Sequence, residues 1–377
     1  MNLYEDKFRF LNYNLKKYNW RLLLLVIVAT VLGLFVIESA ADGYARKQFL
    51  GMIVGLTGLI IISFIDYNFI LKFQWPIYLL AVAMLTAVLF FGVNVNGAKR
   101  WFSLGSFGTL QPSEFAKIMM IVVLARLIMD HRDQISQLKT LIMLGVIYIV
   151  PVFLIYMEPN MSTTLVFLFI FIMMVFCGGL SYKFIGRFLI FTVPIAGFLI
   201  WYIQQPFQIL LHGYQLNRIL AFLNPSEYQQ TTANQQYNSV MAIGSGMLTG
   251  KGLNNNTITS VKGGNFISEQ QTDFIFSVIG EELGFIGSCV TILLLALIVY
   301  ECLKVAKNAS NMSGRIIACG VASMIAFQSF VNIGVATNLL PNTGLPLPFI
   351  SYGLSALLAN MAGIGLVINI DLQKGRR

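Results

Sequence analysis

Long apolar runs separated by short polar segments dominate the chain. A membrane-spanning helix needs about 20 predominantly apolar residues, and about ten runs approach that length. Gly, Pro, Asn and charged residues bound these runs, as expected where a helix leaves a bilayer. The pattern predicts an all-α fold of about ten transmembrane helices, near residues 20–37, 48–65, 74–93, 114–129, 140–157, 162–180, 185–203, 272–300, 315–337 and 349–370.

The composition points the same way. Of 377 residues, 57% are hydrophobic, and the charged residues are 25 Lys and Arg and 16 Asp and Glu. A soluble domain carries about a quarter charged residues, so the composition excludes a soluble enzyme and leaves a polytopic membrane protein. The cysteines lie inside or beside apolar runs without C-x-x-C spacing, which argues against a disulfide or metal framework; they are Cys177, Cys289, Cys302 and Cys319.

The excess of positive charge, +9 overall, is unevenly distributed between the two sides of the predicted bundle. When both termini are placed on one side, that side holds most of the Lys and Arg, which marks it as cytoplasmic. We therefore predict cytoplasmic tails at 1–19 and 371–377. Since membrane orientation explains the basic residues, we predict no binding of nucleic acid. The first run follows Lys16 and Lys17 and lacks a small-residue cleavage pattern, so we predict an uncleaved span.

Two long polar segments, 94–113 and 204–271, lie on the opposite side, whereas the cytoplasmic loops are short. The functional surface is therefore expected to face outward. Residues 205–223 carry apolar residues among polar ones, which suits a helix lying in the membrane interface. The whole chain is predicted to be one membrane domain whose large extracytoplasmic loop, 204–271, joins spans seven and eight.

Two charged residues follow a proline at the outer start of the fourth span. Glu114 and Lys117 are three residues apart after Pro112, so they share one face of the first helical turn. They are candidates for substrate binding. The alternative is an ion pair that only stabilises the helix end.

The eighth span carries polar residues on one face. Ser268 and Gln271 match a capping box, which predicts a helix start there with Asp273 in its first turns. Small and polar residues recur at helical spacing after Asp273, which places Glu281 about 12 Å further along the same face; they are Ser277, Gly280, Glu281, Gly284 and Ser288. The alternative for Asp273 is that its carboxylate only interacts with the positive end of the helix dipole. The alternative for Glu281 and Glu282 is a role in packing or hydration.

Basic residues of the outer segments could hold phosphates. They are Lys99, Arg100 beside Trp101, Arg218, Lys251 and Lys262. The alternative is ordinary contact with lipid headgroups. Only His131 and His212 are histidines, so a triad or a histidine-ligated zinc site is not expected. Acid-base chemistry on the outer face must then use carboxylates, and Asp273 is the best placed.

Several motifs occur in a fixed order along the chain. They are Gly97-Ala98-Lys99-Arg100-Trp101, Gln111-Pro112-Ser113-Glu114-Phe115-Ala116-Lys117, Ala242-Ile243-Gly244-Ser245-Gly246, Gly250-Lys251-Gly252, Thr272-Asp273-Phe274-Ile275-Phe276, Gly280-Glu281-Glu282-Leu283-Gly284 and Pro346-Leu347-Pro348-Phe349-Ile350-Ser351-Tyr352-Gly353. This set resembles the SEDS family, the shape, elongation, division and sporulation proteins typified by RodA and FtsW. The resemblance covers about residues 20 to 370.

The resemblance implies a peptidoglycan glycosyltransferase of the bacterial cytoplasmic membrane, which polymerises lipid II into glycan strands beside a class B penicillin-binding protein. It implies that Asp273 is essential for polymerisation and that Arg100, Glu114 and Lys117 belong to the site. We add Arg218 and Lys251 as substrate-binding candidates, with supporting roles for Trp101, Thr272 and Glu281. The short tails resemble elongation-type RodA members more than division proteins.

Two stretches depart from the family pattern. Ser268-Glu269-Gln270-Gln271 stands where the family often has Pro-Glu-x-His, so no role is assigned to that histidine. Glu158-Pro159-Asn160 stands where many members have Gln-Pro-Asp. A charge-dependent role at Asn160 is therefore open, and Glu158 is the alternative source of charge.

The expected reaction is an inverting glycosyl transfer in which Asp273 takes a proton from the acceptor hydroxyl. Arg100, Lys117 and either Arg218 or a divalent cation, Mg²⁺ or Mn²⁺, would neutralise the departing undecaprenyl pyrophosphate. Two alternatives belong to other classes of protein: a lipid II flippase, whose headgroup path would use Glu281 and Glu282, and a noncatalytic scaffold that recruits a penicillin-binding protein.

Overall fold

The structure, a computed structural model, describes residues 18–374 apart from 96–97, 104, 106–107, 206–212, 224–233 and 255–266. Within these residues the helices are α1 (Trp20–Ala40), α2 (Tyr44–Phe64), α3 (Tyr67–Leu71), α4 (Gln74–Phe91), α5 (Pro112–Asp130), α6 (Leu138–Met157), α7 (Met161–Cys177), α8 (Tyr182–Ile203), α9 (Gly213–Leu223), α10 (Asn234–Ser245), α11 (Ile275–Glu282), α12 (Gly284–Asn308), α13 (Met312–Ala336) and α14 (Leu354–Leu372). A 3₁₀ turn at Arg132–Gln134 follows α5.

Seven of the described helices are long and apolar enough to cross a membrane: α1, α2, α4, α6, α12, α13 and α14. Helix α7 is apolar but shorter, and α5 and α8 coincide with two further predicted spans. The prediction of an all-α, polytopic membrane protein is confirmed. The number of ten spans stays a prediction.

Helices α13 and α14 lie at the centre of the bundle. In the most apolar 18-residue stretch of each helix, 78% is buried in α13 and 72% in α14, compared with 17% in α4. Helix α13 packs against α5, α7 and α12, and α14 packs against α2 and α5. The outer helices instead expose large apolar side chains such as Phe90 and Phe91, as expected for surfaces that face lipid.

The eighth predicted span, 272–300, is two helices rather than one, and that prediction was wrong. Helix α11 ends at Glu282 and α12 begins at Gly284, whose φ of +66° breaks the helical path. A positive φ is disfavoured for residues with a Cβ atom. The single polar face predicted from Asp273 to Ser288 is therefore interrupted at Gly284.

The segment 246–252 crosses this break and pairs with its backbone. The amide of Lys251 donates to the carbonyl of Glu281, and the amide of Gly252 donates to the carbonyl of Glu282, both at 2.9 Å. On the α12 side, the amide of Phe285 donates to the carbonyl of Met247 at 2.9 Å. Close backbone contact requires glycine, since a Cβ on Gly250 would stand 2.1 Å from the Glu282 oxygen.

A small antiparallel sheet forms in the outer segment 94–113, where the sequence indicated only polar loop. Its strands are β1 (Val93–Val95), β2 (Ala98–Ser103) and β3 (Thr109–Leu110), in the order β1-β2-β3. Val93 lies opposite Trp101, and Phe102 lies opposite Leu110. The sheet places Arg100 and Trp101 on its central strand.

Side-chain hydrogen bonds tie the helix ends together. At the end predicted to face outward, Gln270 Nε2 donates to the Ala40 carbonyl (2.6 Å) and Gln48 Nε2 to the Ser351 carbonyl (3.1 Å). At the opposite end, Asn19 Nδ2 donates to Asp371 Oδ2 at 3.0 Å. Since these bonds join residues far apart in sequence, they fix how the helices are arranged.

Candidate functional site

Asp273 lies immediately before α11, in a turn formed by residues 268–274. The predicted helix start at the Ser268–Gln271 capping box was wrong. Glu269 has a φ of +58°, which is incompatible with a helical first turn, and its carbonyl accepts hydrogen bonds from the amide and hydroxyl of Thr272 instead. Helix α11 begins at Ile275, two residues after Asp273.

Neighbouring elements hold the backbone around Asp273. Asn332 of α13 is 1% exposed, and its Nδ2 donates to the carbonyls of Asp273 (2.8 Å) and Leu345 (2.7 Å). Ser351 Oγ donates to the Thr272 carbonyl at 2.6 Å. Asp273 itself is partly exposed, so these bonds fix the backbone of a residue that lies partly at the surface.

Gly344, in the loop between α13 and α14, lies against this carboxylate. Its φ is +76°, and a Cβ built on it would stand 3.2 Å from Asp273 Oδ2. The same loop contacts the start of α7, since Ser162 Oγ donates a hydrogen bond to the carbonyl of Thr343. Asp273, the Gly344 loop and the start of α7 are thus neighbours.

Arg100 joins strand β2 to the turn between α6 and α7. Its Nε donates to the carbonyl of Glu158 at 2.9 Å and its Nη2 to the carbonyl of Pro159. The guanidinium carbon lies 5.9 Å from the centroid of the Trp101 ring, within the range of a cation–π contact. Arg100 is partly exposed.

Glu158 is fully buried beneath this contact, and neither of its carboxylate oxygens has a hydrogen-bond partner among the described residues. Burial raises the pKa of Glu158 to about 8, and the opposing effect of the Arg100 charge is smaller. Because Arg100 bonds to the turn and Ser162 bonds to Thr343, the turn connects Arg100 to the loop that contacts Asp273.

Glu114 and Lys117 form an ion pair of 2.8 Å at the start of α5, with side chains 3% and 0% exposed. Helix α5 begins at Pro112, and the two residues share one face as predicted. The burial places the pair inside the bundle. A role of Lys117 in substrate binding stays a prediction.

Lys251 and Glu281 are also brought together, with Nζ 2.7 Å from Oε1 across the helix break. Glu281 is buried and Lys251 partly exposed. Arg218 lies on α9, the described part of the predicted interfacial helix 205–223, but its side chain is outside the described residues, as is Lys262. In the described part of the chain, no three His, Cys, Asp or Glu side chains gather as a metal site, so we assign no residue to the expected cation.

The sequence reasoning missed three contributors to the site: Asn332, the loop residues Thr343 and Gly344, and the burial of Glu158. Asn332 carried a signal, since an amide inside an apolar span needs a partner. The approach of Gly344 to Asp273 depends on how α13 and α14 pack, and no local pattern indicates it.

The helices and the polar site at one end of their bundle define a multi-pass membrane protein with a charged site at the surface. The chain belongs to the FtsW/RodA/SpoVE family of cell cycle proteins, whose family model matches residues 17–376.

Relatives resemble the chain over nearly its full length. It is 33% identical over 373 residues to the "Probable peptidoglycan glycosyltransferase FtsW" of Trichlorobacter lovleyi, covering 95% of this chain and 94% of the relative. It is 32% identical over 359 residues to the "Peptidoglycan glycosyltransferase MrdB" of Escherichia coli K12, covering 94% and 93%. A chain solved for "Structural coordination of polymerization and crosslinking by a peptidoglycan synthase complex" matches with a TM-score of 0.81 and 28% identity, covering 96% of this chain and 99% of that one.

Proposed function

We propose that this protein is a peptidoglycan glycosyltransferase that polymerises lipid II at the outer face of the bacterial cytoplasmic membrane. The names of its relatives support the reaction class. The observation that carries the assignment is Asp273: a partly exposed carboxylate whose backbone is fixed by Asn332 and Ser351 at one end of a membrane bundle. Lipid-linked substrates can reach such a position from the bilayer.

In the proposed step, the 4-hydroxyl of the acceptor sugar attacks C1 of the sugar at the reducing end of the growing chain. The new bond joins that oxygen to C1, and the bond between C1 and the diphosphate oxygen breaks with inversion. The hydroxyl proton passes to Asp273. Undecaprenyl pyrophosphate leaves with the bonding electrons, and the guanidinium of Arg100 stabilises its growing charge.

The other predicted residues have weaker support. Lys251 is partly exposed but paired with Glu281, and Lys117 is buried with Glu114. We propose that both lysines contact the substrate, but with less support than for Arg100. Arg218 on α9 is proposed to contact the lipid diphosphate at the membrane surface. A requirement for Mg²⁺ or Mn²⁺ would appear as loss of polymerisation in a chelator and recovery on adding either ion.

A class B penicillin-binding protein is the proposed partner, since a structural relative was solved in a peptidoglycan synthase complex. We also propose the role in cell elongation that the resemblance of the sequence to RodA suggested. Relatives named FtsW and MrdB are almost equally identical to this chain.

The test is a gel assay of lipid II polymerisation by purified wild type, Asp273→Asn and Asp42→Asn, each with its transpeptidase partner. Asp42 is an exposed aspartate of the α1–α2 connection, so its variant controls for loss of an acidic charge. We expect polymer from wild type and Asp42→Asn, and at least about 100-fold less from Asp273→Asn, the effect of removing a general base.

An active Asp273→Asn variant would remove Asp273 from the mechanism. If folded wild type with its partner makes no polymer, two other functions become testable. Translocation of labelled headgroups in liposomes would indicate a flippase, whereas binding of the partner without either activity would indicate a scaffold.

A further inference from the structure

Two cysteines meet where α7 packs against α13. Cys177 is the last residue of α7, and Cys319 lies near the start of α13. The two thiols share a hydrogen bond, and neither belongs to a disulfide. The contact is therefore a dithiol, and the reaction proposed above does not use it.

Glycines beside both cysteines let the helices approach closely. Gly178 follows Cys177, and Gly320 follows Cys319. A Cβ on Gly320 would stand 2.9 Å from Sδ of Met174, which lies one turn before Cys177 on α7. Disulfide formation needs Cα atoms no more than about 7 Å apart. The absence of side chains at these glycines allows the two helix backbones such an approach.

The two thiols differ in exposure. Cys177 is partly exposed, whereas Cys319 is 7% exposed. A buried cysteine usually acts as a small apolar side chain, and that role fits Cys302, which is 0% exposed on α12. It does not account for a partly exposed thiol that contacts a second thiol. Cys177 is the member of the pair that a small oxidant can reach.

We infer that Cys177 and Cys319 are an oxidisable dithiol, a site at which a hydroperoxide converts the thiol contact into a disulfide that joins α7 to α13 without rearranging them. The pair lies at the end of the bundle that is predicted to face the cytoplasm. Thiols are kept reduced in that compartment, so the dithiol is the resting form. The inference does not depend on the proposed function.

The oxidation takes two steps. In the first, the sulfur of Cys177 attacks one oxygen of the hydroperoxide, the O–O bond breaks, and an alcohol leaves with the thiol proton while Cys177 becomes a sulfenic acid. In the second, the sulfur of Cys319 attacks the sulfur of Cys177, the S–O bond breaks, and water leaves with the second thiol proton. The dithiol loses two electrons, and the peroxide gains them.

The first experiment maps disulfides in the full-length protein in lipid nanodiscs. Reduced protein is treated with hydrogen peroxide, the remaining thiols are blocked with N-ethylmaleimide, and peptides from a non-reducing digest are identified by mass spectrometry. We expect a linked peptide that joins Cys177 to Cys319 and disappears with dithiothreitol. Cys289, which is exposed on α12, is the internal control and should appear in no linked peptide.

Two outcomes of this mapping would overturn the inference. One is the absence of a peptide that joins Cys177 to Cys319. The other is that either cysteine is linked to Cys289 as often as the two are linked to each other, since that would mean oxidation without regard to position.

Serine variants of the pair test the order of the two steps. Cys319→Ser lacks the second thiol, so we expect a sulfenic acid to persist at Cys177, where dimedone traps it. Cys177→Ser should give several-fold less dimedone adduct at Cys319, because exposure governs which thiol a peroxide oxidises. Equal trapping in the two variants would contradict the order of the steps, and trapping in neither would contradict the reaction.

Thermal unfolding tests whether the disulfide forms in the native arrangement of α7 and α13. A link between residues 177 and 319 restricts the unfolded chain, so linked wild type should unfold about 3 °C or more above reduced wild type. Peroxide-treated Cys319→Ser should show no such rise. An equal or lower temperature for the linked protein would show that the thiols must leave their positions to react. Because these measurements do not use polymerisation, their failure is distinct from a failure of the proposed function.

Discussion

At the scale of single residues, Gly344 has little freedom to change beside Asp273. A Cβ at this position would lie 3.2 Å from Asp273 Oδ2, and the φ of +76° would strain any larger residue. We expect Gly344→Ala to lower polymerisation at least about tenfold, because moving a catalytic carboxylate by a fraction of an ångström costs activity. The assay is the lipid II gel.

Gly43 provides the matched control for that variant. Its φ is +83°, yet a Cβ there meets no atom within 4 Å. Gly43→Ala therefore carries a similar backbone strain, about 1–2 kcal/mol, without touching Asp273. Equal activity losses in the two variants would mean that strain, and not contact with Asp273, explains the result at Gly344.

Residue types and their spacing were enough to identify Asp273, Arg100 with Trp101, and the Glu114–Lys117 pair as candidates. They were not enough to tell which of these are exposed. Lys117 is fully buried whereas Arg100 is partly exposed, and that difference depends on packing between helices distant in sequence. The orphaned carboxylate of Glu158 is invisible for the same reason.

At the scale of elements, the buried ion pair at the start of α5 should behave differently from an exposed pair at its end. Removing one partner of a buried pair typically costs about 3–5 kcal/mol, because the other charge stays buried. We expect Lys117→Met to lower the thermal unfolding temperature strongly and the double variant Glu114→Met/Lys117→Met to recover most of it.

The control lies on the same helix. Arg126 and Asp130 form a pair of 3.1 Å with side chains 44% and 34% exposed, and exposed pairs contribute about 0–1 kcal/mol. Arg126→Met should therefore change the unfolding temperature little. If Arg126→Met and Lys117→Met are equally destabilised, the contribution of the Glu114–Lys117 pair to stability does not depend on its burial. Polymerisation by the folded double variant then measures any role of Lys117 in substrate binding.

Apolar runs predicted the long helices well, because each run must bury its backbone polar groups in a helix to enter a membrane. The break between α11 and α12 could not be predicted in this way. The break depends on the segment 246–252, whose amides bond to the carbonyls of Glu281 and Glu282. The apolar residues of the span itself do not indicate that a distant segment of the chain crosses there.

At the scale of the whole molecule, the predicted topology assigns each loop to one side of the membrane, and this assignment can be tested. We expect Thr109 and Lys374 to be on opposite sides of the membrane, with Lys374 cytoplasmic. Both are exposed. In a variant lacking the four native cysteines, Thr109→Cys should react with an impermeant maleimide in intact spheroplasts, and Lys374→Cys only after lysis.

Labelling of both cysteines in intact spheroplasts would contradict the orientation and with it the outward position of Asp273. Labelling of Lys374→Cys alone in intact spheroplasts would show that the topology is the reverse of the predicted one. In that case the substrate would have to be bound on the cytoplasmic side.

The bonds that hold the turn before α11 have a consequence for how this protein can change over time. Asn332, Ser351 and the amide of Tyr352 bind carbonyl oxygens of Asp273, Thr272 and Gln271, and a carbonyl oxygen is the same whatever side chain its residue carries. Substitutions at the exposed turn residues Ser268 and Glu269 can therefore accumulate without breaking these bonds, whereas Gln270 and Phe274 are held through their own buried side chains. Variation should be sparse instead at Asn332 and Ser351, whose side chains donate two of these bonds.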